Sequence, residues 1–295
     1  MIIAVTGASG SIGRELTPFL DSLGFKVIRI SFSESSNGET IFSYDDLINN
    51  RIHLKVNFFI HLASHNSSLG EGKIDDEVQL TNNILNAMIN LQCKRLIFFS
   101  TAKVYGENSE EKYIFDETSL PNPKCSYSKA KKLCEDQITF QAEKGNFNAV
   151  ILRLPPVLNK SQSSNLGKLM RISKKGFPMI SLSQGVHNKR SFISFNNIKT
   201  VIESFLRSED VEIKNEIYNL ADDEYVSLNH LLRCHGQKSI YTLPKNISKF
   251  IFKIPFLKGF LLKLYGNFML DNRKLKSHMN VKLTTTTESL SIIYK

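Results

Sequence analysis

The first half of the chain alternates short apolar runs with amphipathic runs of helical period. The apolar runs predict buried strands at residues 1–5, 26–31, 56–62, 96–99 and 148–154. The amphipathic runs predict helices at residues 12–23, 44–50, 77–91 and 127–144. Because strands and helices follow one another in turn, the pattern favours an α/β fold with a parallel sheet covered on both faces.

The second half has a less regular pattern, in which glycine, serine and lysine interrupt shorter segments. Pro155 and Pro156 stop the strand at 148–154 and predict a domain boundary near residue 155. Shorter elements follow, with helices at 166–173 and 197–206 and strands at 191–194 and 217–220. We expect some of these later segments to return to the first sheet.

Three glycines, Gly7, Gly10 and Gly13, follow the first apolar run at fixed offsets and stand directly before the first helix. Glycine permits a sharp turn and lets a phosphate approach the backbone where a Cβ would collide. The helix start presents unpaired N–H groups and a partial positive charge to an anion. An ordinary strand–turn–helix also uses glycine for packing, but the position of this turn favours dinucleotide binding.

Composition narrows the class of protein. The chain has 295 residues, 41% hydrophobic and 22% charged, which is typical of a globular protein. No apolar run is long enough to span a bilayer, and the chain opens in a strand rather than a signal peptide. The four cysteines show neither Cys-x-x-Cys nor metal-ligand spacing, so we expect free thiols, no metal site and a cytoplasmic location.

The formal charge of +10 suits an anionic partner. Nucleic acid is one candidate, but the basic residues are scattered and form no stripe interleaved with aromatic residues outside the C-terminal quarter. We therefore expect an anionic, nucleotide-linked substrate and no nucleic acid. The segment 247–270 mixes lysines with apolar residues and would suit a membrane surface, but Pro255 and Gly259 interrupt it. Because lysine stems also coat packed helices, we expect no membrane contact.

Three side chains form a candidate catalytic group. Thr101 stands at the carboxyl end of a buried strand, where open α/β sheets bind ligands. Tyr127 and Lys131 are four residues apart at the start of a helix, which places the phenol and the ammonium on one face. A nearby cation favours phenolate, so the tyrosine could exchange a proton with a sugar oxygen that Thr101 orients. Tyr-x-x-x-Lys occurs by chance, so the pair carries weight only together with the glycine turn.

These motifs occur together and in order, and with them the chain resembles the extended short-chain dehydrogenase/reductases, in the NAD-dependent epimerase/dehydratase family. The resemblance covers nearly the whole length and rests on these segments: Thr6-Gly7-x-x-Gly10-x-x-Gly13, His61-Leu62-Ala63-Ser64, Ser100-Thr101-x-x-Val104-Tyr105-Gly106, Tyr127-x-x-x-Lys131, Arg153-Leu154-Pro155-Pro156, Asn165-Leu166, Asn188-Lys189-Arg190-Ser191-Phe192 and Leu270-Asp271-Asn272-Arg273.

The resemblance implies a doubly wound Rossmann domain for NAD(P) over residues 1–155 and a smaller C-terminal α/β domain for a nucleotide sugar over residues 156–295. It implies that Thr101, Tyr127 and Lys131 are catalytic, and that Thr101, Tyr127, Asn165 and Arg190 bind substrate, with Arg190 on the diphosphate. The cofactor-binding residues that it implies are Gly7, Gly10, Ser11, Ile12, Gly13, Ser31, Leu62, Ala63, Tyr127 and Lys131. It also implies a homodimer.

Two departures bear on the reaction. Ser31 stands where members that prefer NAD carry an acidic residue for the ribose 2′-hydroxyl, which favours NADP(H) and leaves NAD(H) as the other choice. Ala102 and Lys103 replace the Asp-Glu pair of dehydratases of this branch, which disfavours dehydration. Glu77 stands where many relatives have asparagine, and the sequence alone gives that residue no role.

The leading hypothesis is therefore NAD(P)H-dependent reduction of the C4 keto group of a dTDP- or UDP-linked 4-keto-6-deoxyhexose. Such an enzyme would serve surface polysaccharide synthesis, such as O-antigen and lipopolysaccharide. The alternative is a 4-epimerase for a UDP-hexose or UDP-N-acetylhexosamine that keeps NAD bound. A third hypothesis, of another class, is a non-catalytic sensor that binds NADP(H), although sensors on this fold typically lose the tyrosine or the lysine.

Overall fold

The computed structural model describes residues 1–32, 41–64, 73–106, 114–158, 179–207 and 215–293. The strands of these parts are β1 (Ile2–Thr6), β2 (Lys26–Ser31), β3 (Ile41–Ser43), β4 (Phe58–His61), β5 (Arg95–Thr101), β6 (Ile114–Phe115), β7 (Asn148–Leu154), β8 (Val157–Leu158), β9 (Met179–Ser181), β10 (Ile193–Ser194), β11 (Glu216–Asn219), β12 (Ile240–Thr242) and β13 (Met269–Leu270). The helices are α1 (Gly13–Ser22), α2 (Tyr44–Ile48), α3 (Ile74–Asn90), α4 (Ser126–Glu143), α5 (Gln184–His187), α6 (Phe195–Arg207), α7 (Leu228–Cys234), α8 (Lys245–Phe252), α9 (Pro255–Tyr265), α10 (Arg273–Met279) and α11 (Thr286–Ile293).

A seven-stranded sheet of order β11-β7-β5-β4-β1-β2-β3 organises the first part of the chain. The pairs from β3 through β2, β1 and β4 to β5 run parallel. The strand order reverses direction between β1 and β4, and ligands of open α/β sheets bind at the carboxyl ends of strands beside such a reversal. The predicted doubly wound α/β fold is confirmed.

The main core lies between the sheet and its helices. It contains Ile30, Phe59 and Phe98 from the strands, and Ile84 and Ile138 from α3 and α4, all fully buried or nearly so. Burial on the sheet explains the apolar strand runs, since a strand covered on both faces has no polar side. The observed bounds of α1, α3 and α4 differ from the predicted ones by at most three residues.

Two compact units divide the chain. The first contains residues 1–104, 121–153 and 202–218, and the second contains residues 105–120, 154–201 and 219–295. Within the second unit, three short parallel pairs form: β10 with β8, β12 with β9, and β13 with β6. One of its cores gathers Leu158, Phe192, Val226, Leu231 and Leu290. The return of residues 202–218 to the first unit brings β11 to the edge of the large sheet.

Some predictions fall elsewhere. The helix predicted at 166–173 lies outside the described residues. Strand β3 has no counterpart among the predicted strands, because three residues between a polar segment and a helix carry too little periodicity to indicate a strand. Across the described parts of the chain, no helix combines the length and the apolar character needed to cross a membrane.

Candidate active site

The glycine turn lies between β1 and α1, against the end of β4. Gly7 has a φ of +73°, and a Cβ on it would lie 2.7 Å from the backbone nitrogen of Ala63. Gly13 is buried at the start of α1, where a Cβ would collide with the carbonyl oxygen of Gly7. Gly10 donates a backbone hydrogen bond of 3.0 Å to the same oxygen, which closes the turn. These contacts explain why glycines occupy both ends of the turn.

The remaining predicted cofactor residues surround this turn. Ser11 is exposed and Ile12 half-buried just before α1, and the Ile12 carbonyl accepts a helical hydrogen bond from Leu16 N. Ser31 ends β2, is buried, and its hydroxyl hydrogen-bonds that of Ser9 inside the turn. Leu62 and Ala63 follow β4, and Leu62 N donates to the Thr6 carbonyl at 3.2 Å. The structure therefore brings these predicted residues together at the carboxyl ends of β1, β2 and β4.

Tyr44 is a residue of this region that the sequence analysis missed. Its phenol accepts a 3.0 Å hydrogen bond from Gly7 N, and burial raises the pKa of this phenol above its ordinary value. Its ring also packs on that of Phe32, with centroids 4.1 Å apart. No signal near Tyr44 in the sequence shows that a helix after β3 would reach back to the glycine turn.

The three predicted catalytic residues all belong to the first unit. Thr101 ends β5 and is buried. Tyr127 lies in the first turn of α4, whose start is fixed by a reciprocal hydrogen-bonded cap between Cys125 and Ser128. The Thr101 hydroxyl lies close enough to the Tyr127 phenol to act to lower the pKa of that phenol. The cap and the strand end therefore place both hydroxyl groups at the same point of the site.

Lys131 lies one helical turn after Tyr127 and is 1% exposed. Its ammonium is 3.3 Å from Oε1 of Glu77 on α3, which is also 1% exposed, and lies 4.6 Å from the centre of the Phe98 ring. The Nζ atom has no hydrogen-bond acceptor among the described residues. A buried ammonium with one ion-pair partner therefore retains hydrogen-bonding capacity for a ligand.

Charge near Tyr127 acts in both directions. Burial raises the pKa of the Tyr127 phenol; the Lys131 ammonium acts to lower it, and the Glu77 carboxylate acts to raise it. Lys103 Nζ lies 5.8 Å from the centre of the Tyr127 ring, within cation–π range. A ligand or variant that changes the balance between Lys131 and Glu77 will therefore change the proton affinity of Tyr127.

His61 is a neutral buried residue beside this group. Its Nδ1 is 2.9 Å from the Thr6 hydroxyl, and its Nε2 is 3.4 Å from the Thr81 hydroxyl. Burial, with a contribution from the Lys131 ammonium, lowers the pKa of His61 to about 3. At neutral pH the imidazole therefore acts as a hydrogen-bonded spacer between β1, β4 and α3, and adds no charge to the site.

A second buried ion pair supports α4 one turn further along. Glu135 accepts two hydrogen bonds from Arg153 on β7, at 3.0 and 2.6 Å. It also accepts one from the hydroxyl of Ser100, the residue before Thr101. The bidentate pair ties the helix that carries Tyr127 and Lys131 to β7, and the hydrogen bond from Ser100 ties it to β5, the strand that carries Thr101.

The predicted substrate residues outside the first unit have different outcomes. Arg190 belongs to the second unit, is 8% exposed, and donates a 3.0 Å hydrogen bond to the Gly266 carbonyl. Burial lowers the pKa of Arg190 to about 10. Asn165 lies outside the described residues. Across the described parts of the chain, no three His, Cys, Asp or Glu side chains group as metal ligands.

The observed features fit a dinucleotide in two respects. A Cβ at Gly7 or Gly13 would collide with neighbouring backbone, and the exposed Gly10 and Ser11 just before α1 leave room for a pyrophosphate to approach the start of that helix. The Lys131 ammonium is available to donate to hydroxyl groups of a ribose. What the arrangement can do chemically is to hold such a ligand beside a tyrosine whose pKa is raised by burial and adjusted in opposite directions by Lys131 and Glu77.

Comparisons with known proteins agree with this arrangement. The model of the NAD dependent epimerase/dehydratase family matches residues 3–221. A UDP-glucose 4-epimerase of Vibrio cholerae is 28% identical over 153 residues, which are 52% of this chain and 46% of that protein. The chain thus aligns with less than half of the length of this curated relative.

Solved structures extend the likeness over the whole fold. The UDP-N-acetylglucosamine 4-epimerase of Bacillus cereus superimposes with a TM-score of 0.77 at 18% identity, covering 100% of this chain and 98% of that one. The UDP-glucuronic acid 4-epimerase of Bacillus cereus, in complex with NAD, gives a TM-score of 0.77 at 18% identity, covering 100% and 97%. At this identity the two structures establish the shared fold.

Proposed function

The chain belongs to the NAD dependent epimerase/dehydratase family, and from that membership we propose that it is an NAD-dependent 4-epimerase of a UDP-sugar. The observation that carries the proposal is the convergence of Thr101, Tyr127 and Lys131 in one unit with the glycine turn. The named relatives favour epimerisation over the 4-ketoreductase that the sequence analysis placed first. The reductase hypothesis is therefore set aside for its alternative.

NAD supplies a hydride acceptor and donor for C4 of the sugar. The residues that would hold it are Gly7, Gly10 and Gly13 at the pyrophosphate, with Ser31 and Lys131 at the riboses. A serine hydroxyl can hydrogen-bond a ribose hydroxyl, so the missing carboxylate at position 31 is compatible with NAD. The segment after β2, residues 33–40, has no lysine or arginine to bind a 2′-phosphate. We therefore propose NAD(H) rather than NADP(H).

Tyr127 moves the proton. As phenolate it would accept the proton of the C4 hydroxyl. As phenol it would return that proton after the keto sugar has rotated in the site. Lys131 favours the phenolate because its positive charge stabilises the negative one. Thr101 ends β5 beside the phenol, so its hydroxyl would orient the same sugar oxygen and share the charge that develops there.

Glu77 completes this assignment. A carboxylate 3.3 Å from the Lys131 ammonium compensates the charge of a lysine that is fully removed from water. It also fixes where the ammonium lies relative to Tyr127, which is one helical turn away. We assign Glu77 the role of a positioning residue that opposes the effect of Lys131 on the phenol.

The identity of the sugar nucleotide and the residues that bind it are also proposals. The relatives act on UDP-linked hexoses and N-acetylhexosamines by name, which supports the UDP-sugar alternative over a dTDP-linked 4-keto-6-deoxyhexose. Arg190 and Asn165 are proposed to bind the diphosphate sugar, as the resemblance implies. Surface polysaccharide synthesis, a cytoplasmic location and a homodimer stay predictions.

The test uses purified protein and UDP-glucose, UDP-N-acetylglucosamine and UDP-glucuronic acid, without added cofactor or with catalytic NAD. Conversion of one of these sugar nucleotides to its C4 epimer, measured by chromatography or NMR, supports the proposal. Consumption of NADPH with a 4-keto sugar nucleotide, without epimerisation, would restore the reductase hypothesis. Binding of NAD(P) without turnover of any sugar nucleotide would favour the sensor. Tyr127→Phe is the matched control for background conversion.

A further inference from the structure

Helices α8 and α9, in the second unit, expose aromatic side chains to an unusual extent. Phe250 is 70% exposed, Phe256 85% and Phe260 62%, with Ile247 at 49%. Ile247 and Phe250 are three residues apart, and Phe256 and Phe260 four, so each pair lies on one face of its helix. Large exposed apolar patches on a soluble fold mark interaction or membrane sites.

The same two helices are well packed on their other side. Phe252 and Leu261 are 6% and 7% exposed and form a core with Leu182 from the segment after β9. The exposed phenylalanines are therefore an outward face on helices that the core already fixes. Gly259 lies on that face of α9, where an added Cβ would contact nothing within 4 Å. Pro255 begins α9 and does not interrupt it. Pro255 therefore separates the two helices, as the sequence predicts, whereas Gly259 leaves the exposed face of α9 uninterrupted.

The charge around this face has one sign. Between Tyr225 and Leu270 the sequence contains no aspartate or glutamate. The exposed lysines of α8, α9 and the link between them are Lys245, Lys249, Lys253, Lys258 and Lys263. Lysine heads beside a row of phenylalanines combine attraction to anionic groups with an apolar surface that can be buried.

We propose that α8 and α9 form a docking surface for an anionic phospholipid bilayer, on which Phe250, Phe256 and Phe260 enter the interfacial layer. The lysines would contact the lipid phosphates, as basic amphipathic segments do. The chain would then lie on the membrane surface without crossing it. This inference does not depend on the proposed reaction, since it involves no residue of the candidate active site.

A bilayer fits better than the other partners with matching charge. Single-stranded nucleic acid is bound by aromatic side chains in a basic groove, whereas here the aromatic residues project from two helices together with the aliphatic Ile247. A second copy of this chain would bring the same lysines face to face, because a twofold interface presents the same patch twice. Like charges would then oppose one another.

The absence of tryptophan from the sequence makes a direct test available. In Phe256→Trp the only indole reports on the proposed surface, and in Leu120→Trp, at a position that is 87% exposed, it reports on a control site. We expect the emission of Phe256→Trp to shift to shorter wavelength with vesicles of phosphatidylcholine and one-third phosphatidylglycerol. Phosphatidylcholine alone should give no shift, and added salt should reverse it.

Three results would overturn the proposal. One is an equal shift in Leu120→Trp; another is a shift that depends on protein concentration without lipid, which indicates self-association. The third is a shift with RNA or single-stranded DNA and none with vesicles. Sugar-nucleotide turnover of Phe256→Trp is measured alongside, so that failure of the proposed reaction and failure of membrane binding are scored separately.

Vesicle sedimentation of variants separates the apolar contribution to membrane binding from the electrostatic contribution. The double variant Phe256→Ser, Phe260→Ser should lower the vesicle-binding constant by roughly tenfold or more, because the rings no longer bury apolar area. Replacing Lys249 or Lys253 by glutamine should lower it by about fivefold each. Lys55→Gln, an exposed lysine of the first unit, is the matched control and should bind as the unmodified chain does. Unchanged binding of the phenylalanine variant would refute the proposal.

Discussion

Replacing Glu77 by glutamine removes the counter-charge of Lys131 while keeping the size and shape of the side chain. The two charged groups are 3.3 Å apart and each is 1% exposed, so Lys131 would stay buried without an ion-pair partner among the described residues. Breaking a buried pair in this way costs about 3–5 kcal/mol. The exposed Lys132–Asp136 pair on the same helix is the matched control, and Asp136→Asn should cost about 0–1 kcal/mol.

The cost converts into a melting temperature. At about 2.1 cal/mol/K per residue, the unfolding entropy of 295 residues is about 0.6 kcal/mol/K, so Glu77→Gln should melt about 5–8 °C lower. Thermal melts by circular dichroism measure this without reference to activity. The double variant Glu77→Gln, Lys131→Met should recover most of the loss, because neither buried charge then remains.

The single variant Glu77→Gln should also change the pH dependence of catalysis, which a purely structural role of Glu77 would not do. Glu77 acts to raise the pKa of Tyr127, so removing its charge lowers that pKa. A rate that rises with pH as the phenol ionises should then rise at lower pH in Glu77→Gln. A melting temperature within a degree or two of the unmodified chain, or a double variant no more stable than Glu77→Gln, would refute the reasoning.

Three further predictions follow from the site. Tyr127→Phe should lower turnover by about 10²–10⁴-fold, with NAD binding by calorimetry unchanged, and normal turnover would contradict the assignment. Gly13→Ala should destabilise the glycine turn by about 1–3 kcal/mol and weaken NAD binding, because a Cβ there would lie 2.6 Å from the Ala8 carbonyl oxygen; unchanged affinity in calorimetry would argue against the turn as cofactor site. Burial lowers the pKa of His61 from 6.5 to about 3, so the folded state takes up fewer protons than the unfolded state in that range, and stability should fall as the pH falls through it. Urea midpoints of His61→Gln should vary less with pH there, and an equal pH dependence would contradict this.

The sequence was most informative where local geometry decides position. Helical spacing placed Tyr127 and Lys131 one turn apart on one helix, and the strand pattern placed Thr101 at the carboxyl end of β5, since both rules need only the residue number and the element. It was least informative for Glu77 and Tyr44. Each acts on a residue far along the chain through the packing of separate elements, α3 on α4 and α2 on the glycine turn. A single sequence contains no signal for such contacts.

The preference for reduction over epimerisation, which the named relatives do not favour, had a different basis. It rested on one missing carboxylate, at Ser31, and treated that absence as evidence of a 2′-phosphate. A phosphate site also needs cations, and residues 33–40 contain no lysine or arginine. The absence of a carboxylate that would bind the ribose 2′-hydroxyl is therefore weaker evidence for NADP(H) than the presence of a cation that would bind the 2′-phosphate.

Helix α4 shows how the two buried ion pairs work together. Lys131 and Glu135 are four residues apart and opposite in charge, so they could have formed a pair along the helix. Instead each pairs with another element: Lys131 with Glu77 of α3, and Glu135 with Arg153 of β7. Ion pairs to other elements fix the rotation of α4 about its axis at two successive turns. An ion pair between two residues of the same helix would leave that rotation free. Because Tyr127 lies one turn before Lys131, both contacts determine the orientation of its side chain. Loss of either ion pair should therefore change the position of the phenol under conditions in which the sheet is still folded.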